Sequence, residues 1–346
     1  MEFNSKKYWN LSHVLSFQRH FNFINSSRKN GKTYTYQGYI IKRAKENNEQ
    51  FMYHVRTEKQ IQAGAFEKAF EKVLKEQYPN LIIKFDKTEA WLCDNDGKRE
   101  RVIGFCRSLG GTTKMKIESF PNVRWGMFDE YMLLPQNFRE YVTGWNEPNL
   151  LLNQYDTIDR AENRYILFCF GNNTAFFNPY HMHPAFNIPE CKEGEIWTSK
   201  NVLFQRAKMS VELKKEIEES DFGLMVEGTK YGDYAIQGEY IGDEPDFIAD
   251  RPNKCVFVFS FRYDDELYGV WHEPKTGRLF VSQKLNKQKL PIFAVDTPFV
   301  RQGEIRARRE HSTMKWFGKR LNASLVYYET MEIKMKTIEA FRKVIF

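Results

Sequence analysis

An α/β fold on a largely parallel sheet is predicted for the first two-thirds of this 346-residue chain, with a smaller module after it. Three observations carry the prediction. Short apolar runs alternate with helical stretches up to about residue 207, as strands do when crossover helices let them run parallel. Two of these runs, residues 123–128 and 165–170, end on polar residues, and ligands in open α/β sheets bind beyond the carboxyl ends of the strands. Near residue 208 the character changes to a charged helix and then to a meander of short strands.

The elements follow in order. Residues 20–25 (HFNFIN) read as a strand, 33–45 as the helix after it, and 50–56 as a second strand. Residues 65–78 form an amphipathic helix whose Ala65, Phe66, Ala69, Phe70, Val73 and Leu74 recur at helical spacing and face the core. Residues 81–109 read as short antiparallel strands turning at Asp94-Asn95-Asp96-Gly97. Ser210 caps a charged helix over 210–220, with Leu213 and Ile217 on one face. Residues 256–261, 268–272 and 278–282 form a meander, and 333–346 close the chain as a helix. The domains expected are 1–207, a linker region 208–243, and 244–346.

Composition sets the class. Apolar residues make up 42% and aromatics 16%, including 29 Phe, which excludes a disordered chain. No apolar run approaches the roughly 18 residues of a membrane span, and the polar start lacks the apolar stretch of a signal peptide. A cytoplasmic protein with no membrane partner is expected. The five cysteines are scattered without a CxxC pair, so free thiols are expected. His181 and His183 lie in a Pro-bracketed loop without partner ligands and are not read as a metal site. The net charge of +7 is uneven: the last 46 residues hold 11 Lys/Arg against 5 Asp/Glu. A basic cluster of this kind is compatible with a polyanionic partner and also with solvated helices.

The chemistry concentrates at Ser26-Ser27-Arg28-Lys29-Asn30-Gly31-Lys32-Thr33, between a strand and a helix. This is the length and ending of a phosphate-binding loop. Backbone N–H groups of such a loop and of the helix N-terminus favour phosphate oxygens. Lys32 is expected to neutralise β/γ-phosphates and Thr33 to ligate Mg²⁺; Gly31 permits close backbone approach. Ser26 stands where Gly is usual. Roughly 100 residues later Asp129-Glu130 ends an apolar strand, where Asp129 is suited to hold Mg²⁺ and Glu130 to polarise the attacking water. An ATPase using ATP and Mg²⁺ follows. Asn172, ending the next strand, is suited to sense the γ-phosphate. Arg160 and Arg164 are both candidates for an arginine finger, or else surface arginines.

These motifs and the segments around them resemble the DNA-packaging (encapsidation) ATPases of small podoviruses, the phi-twenty-nine-like phages. The resemblance is carried by 120–123 through Phe128-Asp129-Glu130-Tyr131, by Asp156-Thr157-Ile158-Asp159-Arg160 and by Asn178-Pro179-Tyr180. It resumes at 228–232, 240–243, 257–260 and 269–271. It implies a P-loop NTPase domain of the additional-strand (ASCE) type, a small linker region and a degenerate α+β domain of RNase H type. It also implies a ring, thought to be pentameric, at the portal vertex of a procapsid in the host cytoplasm, driving double-stranded DNA inward and in some members attached to a scaffold RNA. By position Lys32, Asp129 and Glu130 match the two nucleotide motifs, and Arg160 matches the trans-acting finger.

The first strand of the meander, residues 256–261, carries no acid, while a metal-dependent nuclease needs one there. No nuclease activity is expected. Arg56 and Lys59 after the second strand, and Lys114 and Lys116 in the loop containing Gly110-Gly111, are candidates for contact with DNA phosphates, solvated loop charge being the alternative. Another reading is a structural nucleic-acid-binding protein whose loop holds nucleotide without turnover; Ser26 favours it slightly, while the intact Lys32, Thr33, Asp129 and Glu130 disfavour it. A helicase or a terminase with a live nuclease fits the C-terminal part less well.

Overall fold

The six residues of Phe21–Ser26 (β1) bury every side chain, as only a strand covered on both faces of a sheet can do. The computed structural model describes residues 7–134, 137, 140–176, 178–238, 240, 247–286, 291–295 and 299–345. Residues 241–243, part of the resemblance, and the expected boundary at 243/244 lie outside these, as does the side chain of Lys114. The chain divides into two compact units, Met1–Gly242 and Asp243–Phe346.

In the first unit the order is α1 (Leu11–Leu15), β1, α2 (Lys32–Asn47), β2 (Gln50–Val55), α3 (Glu58–Gln62), α4 (Ala65–Gln77), β3 (Ile83–Phe85), β4 (Glu89–Cys93) and β5 (Arg99–Ser108). Then come α5 (Thr112–Met115), β6 (Val123–Asp129), α6 (Glu147–Asp159), β7 (Ile166–Asn172), α7 (Pro179–Met182), β8 (Ile196–Thr198) and β9 (Val202–Arg206). The sheet has nine strands in the order β3-β4-β5-β2-β6-β7-β1-β9-β8. From β5 to β9 neighbours are parallel, and β3, β4 and β8 add antiparallel edges. The antiparallel expectation for 81–109 therefore holds for β3 and β4, while the ten-residue β5 also joins β2 in parallel. Strand β7 lies between β1 and β6, the inserted strand that defines the additional-strand class.

Alternation along the strands sends side chains to two cores. Ile24, Phe51, Tyr53, Met127 and Phe168 pack under α2 and α4, against Ile40, Ile41, Phe66, Phe70 and Val73. Phe23, Met52, Phe128, Leu167 and Cys169 face the other way, against Leu151 and Ile158 of α6 and Tyr180 of α7. Full burial of one such side chain stabilises by about 1.5–3 kcal/mol, so both faces fix the strand order.

The segment expected as a linker folds into the first unit. Ser210 caps α8 (Val211–Glu218) by accepting from the Leu213 amide, and α9 (Asp221–Val226) and α10 (Lys230–Gly232) follow. Leu213 and Ile217 are buried with Val226, Tyr234 and Ile236. The segment buries apolar residues of its own and so is not a spacer.

The second unit contains β10 (Val256–Tyr263), β11 (Glu266–His272), β12 (Leu279–Ser282), β13 (Ile292–Ala294), β14 (Glu304–Arg306), α11 (Ser312–Asn322), β15 (Val326–Tyr328) and α12 (Met331–Ile345). The expected meander β10-β11-β12 is the centre of a six-stranded mixed sheet, β14-β13-β10-β11-β12-β15. Asp264 and Asp265 form the first turn with φ of 50° and 63°, as a two-residue hairpin requires. The short strands β13, β14 and β15 carry too little periodicity to read from sequence. Phe259, Phe261 and Val281 pack against Phe317 of α11 and Phe341 of α12.

Candidate functional site

At the carboxyl end of β1 the chain curls through two left-handed residues, Lys29 (φ 68°) and Gly31 (φ 77°), and enters α2 at Lys32. Gly31 bears that φ without strain, and it is the N-cap. No side chain caps the helix, so its free amides remain available to an anion. Ser27 Oγ is buried without a hydrogen-bond partner among the described residues. Lys32 is only 7% exposed.

The Lys32 ammonium donates to Asn172 Oδ1 at 3.1 Å and to Ser26 Oγ at 3.2 Å. Serine therefore occupies the usual glycine position while serving as a lysine acceptor. Thr33 Oγ1 donates to Asp129 Oδ1 at 3.2 Å, which joins a hydroxyl and a carboxylate as a hard cation needs them. Burial pushes the Lys32 ammonium down to about 8, against the pull of Asp129 and Glu130. Burial likewise pushes the Asp129 carboxyl up to about 6, against Lys32. Each group is short of the counter-charge that a phosphate and a divalent cation would supply.

Glu130 follows in the left-handed region, φ 55°, with its amide on Asp129 Oδ1 at 3.1 Å. Asp129, Glu130 and Asn172 line one cavity of about 1050 Å³ with Lys32 and Thr33. The residues present fit a nucleotide triphosphate with its cation: a lysine and a helix N-terminus for phosphates, Thr33 and Asp129 for the ion, and Glu130 beside them.

Arg28 and Lys29 are exposed and line the same cavity. The Arg28 guanidinium lies 5.9 Å from the Tyr234 ring centre and the Lys29 ammonium 5.1 Å from that of Phe222. Asn173 and Arg206 both donate to the Gly238 carbonyl at 2.8 Å. The 208–238 segment thus backs the phosphate loop, a relation no motif signalled.

Two expectations change. Arg56 is not available to DNA: it is 6% exposed, its Nε lies 3.0 Å from Glu147 Oε2, and its guanidinium donates to the carbonyls of Glu130 (3.2 Å) and Tyr131 (2.9 Å). Burial in an aromatic pocket, 5.2 Å from Phe128 and 5.1 Å from Tyr141, decides this. Gly110-Gly111 do not form an open loop either; they belong to a 3₁₀ turn leading into α5, which carries Lys114. Lys59 on α3 and Lys116 after α5 are exposed.

Arg160 ends α6, exposed, donating to the Glu118 carbonyl at 3.0 Å. It precedes β7, whose far end carries Asn172, so it sits at the opposite end of the strands from its own phosphate loop. Arg164 is a structural residue, donating to the carbonyls of Val123 and Ile158. His181 bonds Tyr131 and His183 bonds Asn149, and among the described residues no three His, Cys, Asp or Glu could hold a metal together. Sequence reading missed Glu147, Tyr131 and Asn25. The last two flank the motifs directly, which is the one signal that pointed to them.

A phosphate loop on β1 and an acid pair on β6, separated by an inserted strand, define a P-loop NTPase of the additional-strand class. The family model described as Podovirus DNA encapsidation protein (Gp16) matches residues 3–346, and the chain belongs to that family. Its function is ATP-driven packaging of phage DNA. The DNA packaging protein of Bacillus phage phi29 is 27% identical over 292 residues, covering 84% of this chain and 83% of the relative. That of Bacillus phage B103 is 26% identical over 293 residues, covering 84% and 86%. A solved chain of the bacteriophage phi29 viral genome packaging motor assembly shares the fold, with a TM-score of 0.70 and 23% identity over 97% of this chain and 99% of that one.

Proposed function

We propose that this chain hydrolyses ATP with Mg²⁺ and couples the hydrolysis to translocation of double-stranded DNA into a procapsid. It does so as one subunit of a homo-oligomeric ring at the portal vertex, in the host cytoplasm. The observation that carries the reading is the Thr33 hydroxyl on the Asp129 carboxylate, 3.2 Å apart, beside a buried Lys32. Lys32, the loop amides and Asn172 bind the β- and γ-phosphates. Thr33 and Asp129 hold the ion, which neutralises developing phosphate charge when bound. Glu130 accepts a proton from the attacking water. Arg160 acts on the nucleotide of a neighbouring subunit. Arg28 and Lys29, lining the same cavity as Lys32, add positive charge around the phosphates.

Lys59 and Lys116 remain the candidates for DNA backbone contact, and neither reads bases. The second unit contacts nucleic acid or the capsid without cutting DNA. A pentameric ring and a scaffold RNA rest on the family resemblance alone.

The test is ATP turnover by the full chain at ring-forming concentration, with and without double-stranded DNA and Mg²⁺, for wild type and Glu130→Gln. Stimulated, Mg²⁺-dependent turnover that the substitution abolishes is expected. Turnover that survives Glu130→Gln would overturn the assignment of that carboxylate. Tight ATP binding with no turnover in an assembled wild-type ring would favour the nucleotide-holding structural reading that Ser26 suggests.

A further inference from the structure

Directly after Glu130, the Tyr131 side chain turns inward and reaches the strand that launches the phosphate loop. Its hydroxyl lies 2.7 Å from Asn25 Oδ1, one residue before Ser26. Both residues are fully buried. Asn25 Nδ2 is directed at the Met132 sulfur, 3.0 Å away, so Oδ1 faces the hydroxyl and takes its single proton. The His181 ring places Nε2 at 2.8 Å from the Tyr131 hydroxyl oxygen, a second polar contact to the same group. The Tyr131 hydroxyl thus lies within hydrogen-bond distance of both Asn25 Oδ1 and His181 Nε2.

Two further features hold this contact. The Tyr131 amide donates to the Phe170 carbonyl at 3.2 Å. Gly171, which follows Phe170, leaves the space the contact needs: a Cβ there would stand 2.8 Å from both Asn25 Oδ1 and Tyr131 Cε1. The neighbouring residue Glu130 occupies the left-handed region at φ 55°, a conformation that a non-glycine residue keeps only where its surroundings enforce it. On its amino side the enforcing bond is the Asp129 carboxylate; on its carboxyl side Arg56 holds the Glu130 carbonyl and Tyr131 turns inward to Asn25.

We propose that Tyr131 is a positioning residue for hydrolysis: through its hydroxyl on Asn25 it fixes the backbone of Glu130 relative to the phosphate loop. This rests on the reading of Glu130 as the hydrolytic carboxylate. Misplacing a catalytic group by about 1 Å typically lowers rate on the order of 10²-fold, while phosphate binding, made by Lys32 and the loop amides, is unaffected. The hydroxyl therefore acts on turnover and not on nucleotide affinity.

The experiment compares the full chain with Tyr131→Phe, which keeps the ring and its edge contacts with Phe23 and Tyr180 and removes only the hydroxyl. The expected result is a fall in kcat of roughly 10- to 100-fold, with KM and the Kd for a non-hydrolysable ATP analogue within about twofold. Amide hydrogen exchange of nucleotide-free protein should speed up in the peptide spanning residues 129–132 and stay unchanged in α4. Asn25→Ala approaches the same bond from the other side and should give the same kcat loss.

In a Glu130→Gln background Tyr131→Phe should leave the Kd for the ATP analogue within about twofold, because the hydroxyl acts through Glu130; a merely structural role would weaken it. An unchanged kcat in folded Tyr131→Phe overturns the proposal. Failure of both Tyr131→Phe and Asn25→Ala to fold also overturns it, and assigns the pair to the core. Glu130→Gln alone reports on the parent reading: if it leaves turnover intact, that reading fails in a variant that does not touch Tyr131.

Discussion

The Arg56 guanidinium and the Glu147 carboxylate face each other at 3.0 Å with both side chains closed off from water. Glu147 also accepts from the Tyr180 hydroxyl and the Val142 amide, each at 2.7 Å, so its charge is met by donors from three separate stretches of the chain. Removing one partner of such a pair leaves an uncompensated charge and costs about 3–5 kcal/mol. Arg56→Ala and Glu147→Gln are expected to lower the unfolding free energy by that amount, read as a lower denaturant midpoint at unchanged slope on the full chain. Arg56→Ala should also slow turnover, because the guanidinium holds the Glu130 and Tyr131 carbonyls. Wild-type stability with weakened DNA binding would return Arg56 to the DNA-contact set.

The pH dependence of nucleotide binding follows from two opposed burials. Lys32 must be charged and Asp129 ionised for Mg²⁺-nucleotide to bind, and these groups sit at about 8 and about 6. Affinity should be greatest between those values, weakening below about 6 as Asp129 takes a proton and above about 8 as Lys32 loses one. Bound phosphate raises the lysine and bound cation lowers the carboxyl. Binding therefore takes up protons above about 8 and releases them below about 6, which titration calorimetry in buffers of different ionisation heat reads directly. Without nucleotide, Lys32 makes stability rise between about 8 and 10.5, where the unfolded chain holds a proton that the folded one lacks. Equal affinity from pH 5 to 9 would contradict both causes.

Arg160 lies at the wrong end of β7 to reach its own nucleotide, so its loss should be repaired between subunits. Arg160→Ala is expected to keep nucleotide binding and lose turnover by about 10³–10⁵-fold. Mixing it with Lys32→Ala subunits, which retain the arginine but not the phosphate site, should restore part of the rate. No recovery in mixed rings that assemble normally would place the residue outside the finger role.

Linear double-stranded DNA should remain uncut by the full chain in Mg²⁺ or Mn²⁺. Strand β10 carries no acid, and its buried charge, Arg262, is tied to Glu304 by bonds of 2.7 and 2.6 Å. Asp265 in the turn is held by Arg262 and Arg301. Cleavage that persists in Glu130→Gln protein and is lost on substituting Asp264 or Asp265 would reverse this conclusion.

Much of the site was legible because its parts are local. A strand, a loop ending in Gly-Lys-Thr and a helix start announce themselves within about 25 residues. The acid pair is recognisable because an apolar run ends on it. The helix at 65–78 was correct to within a residue, since Phe66, Phe70 and Val73 repeat at helical spacing and are buried. The segment 208–238 was misread as a linker because its first helix, α8, is charged on most positions, and only packing reveals Tyr234, Ala235 and Ile236 as buried.

The sequence by itself marked the main strands and helices of the first unit up to β7, together with the candidate phosphate loop and acid pair. Each rests on spacing within one or two elements. Tertiary structure alone decided which charged residues are free. Arg56 and Lys59 stand three residues apart, yet one is sealed against Glu147 and the other is exposed. The pair that seals Arg56 spans 91 positions, as the Tyr131–Asn25 bond spans 106. Such contacts depend on the strand order and on the faces to which side chains alternate, and these follow from how the whole chain buries its apolar surface, not from any single run of residues.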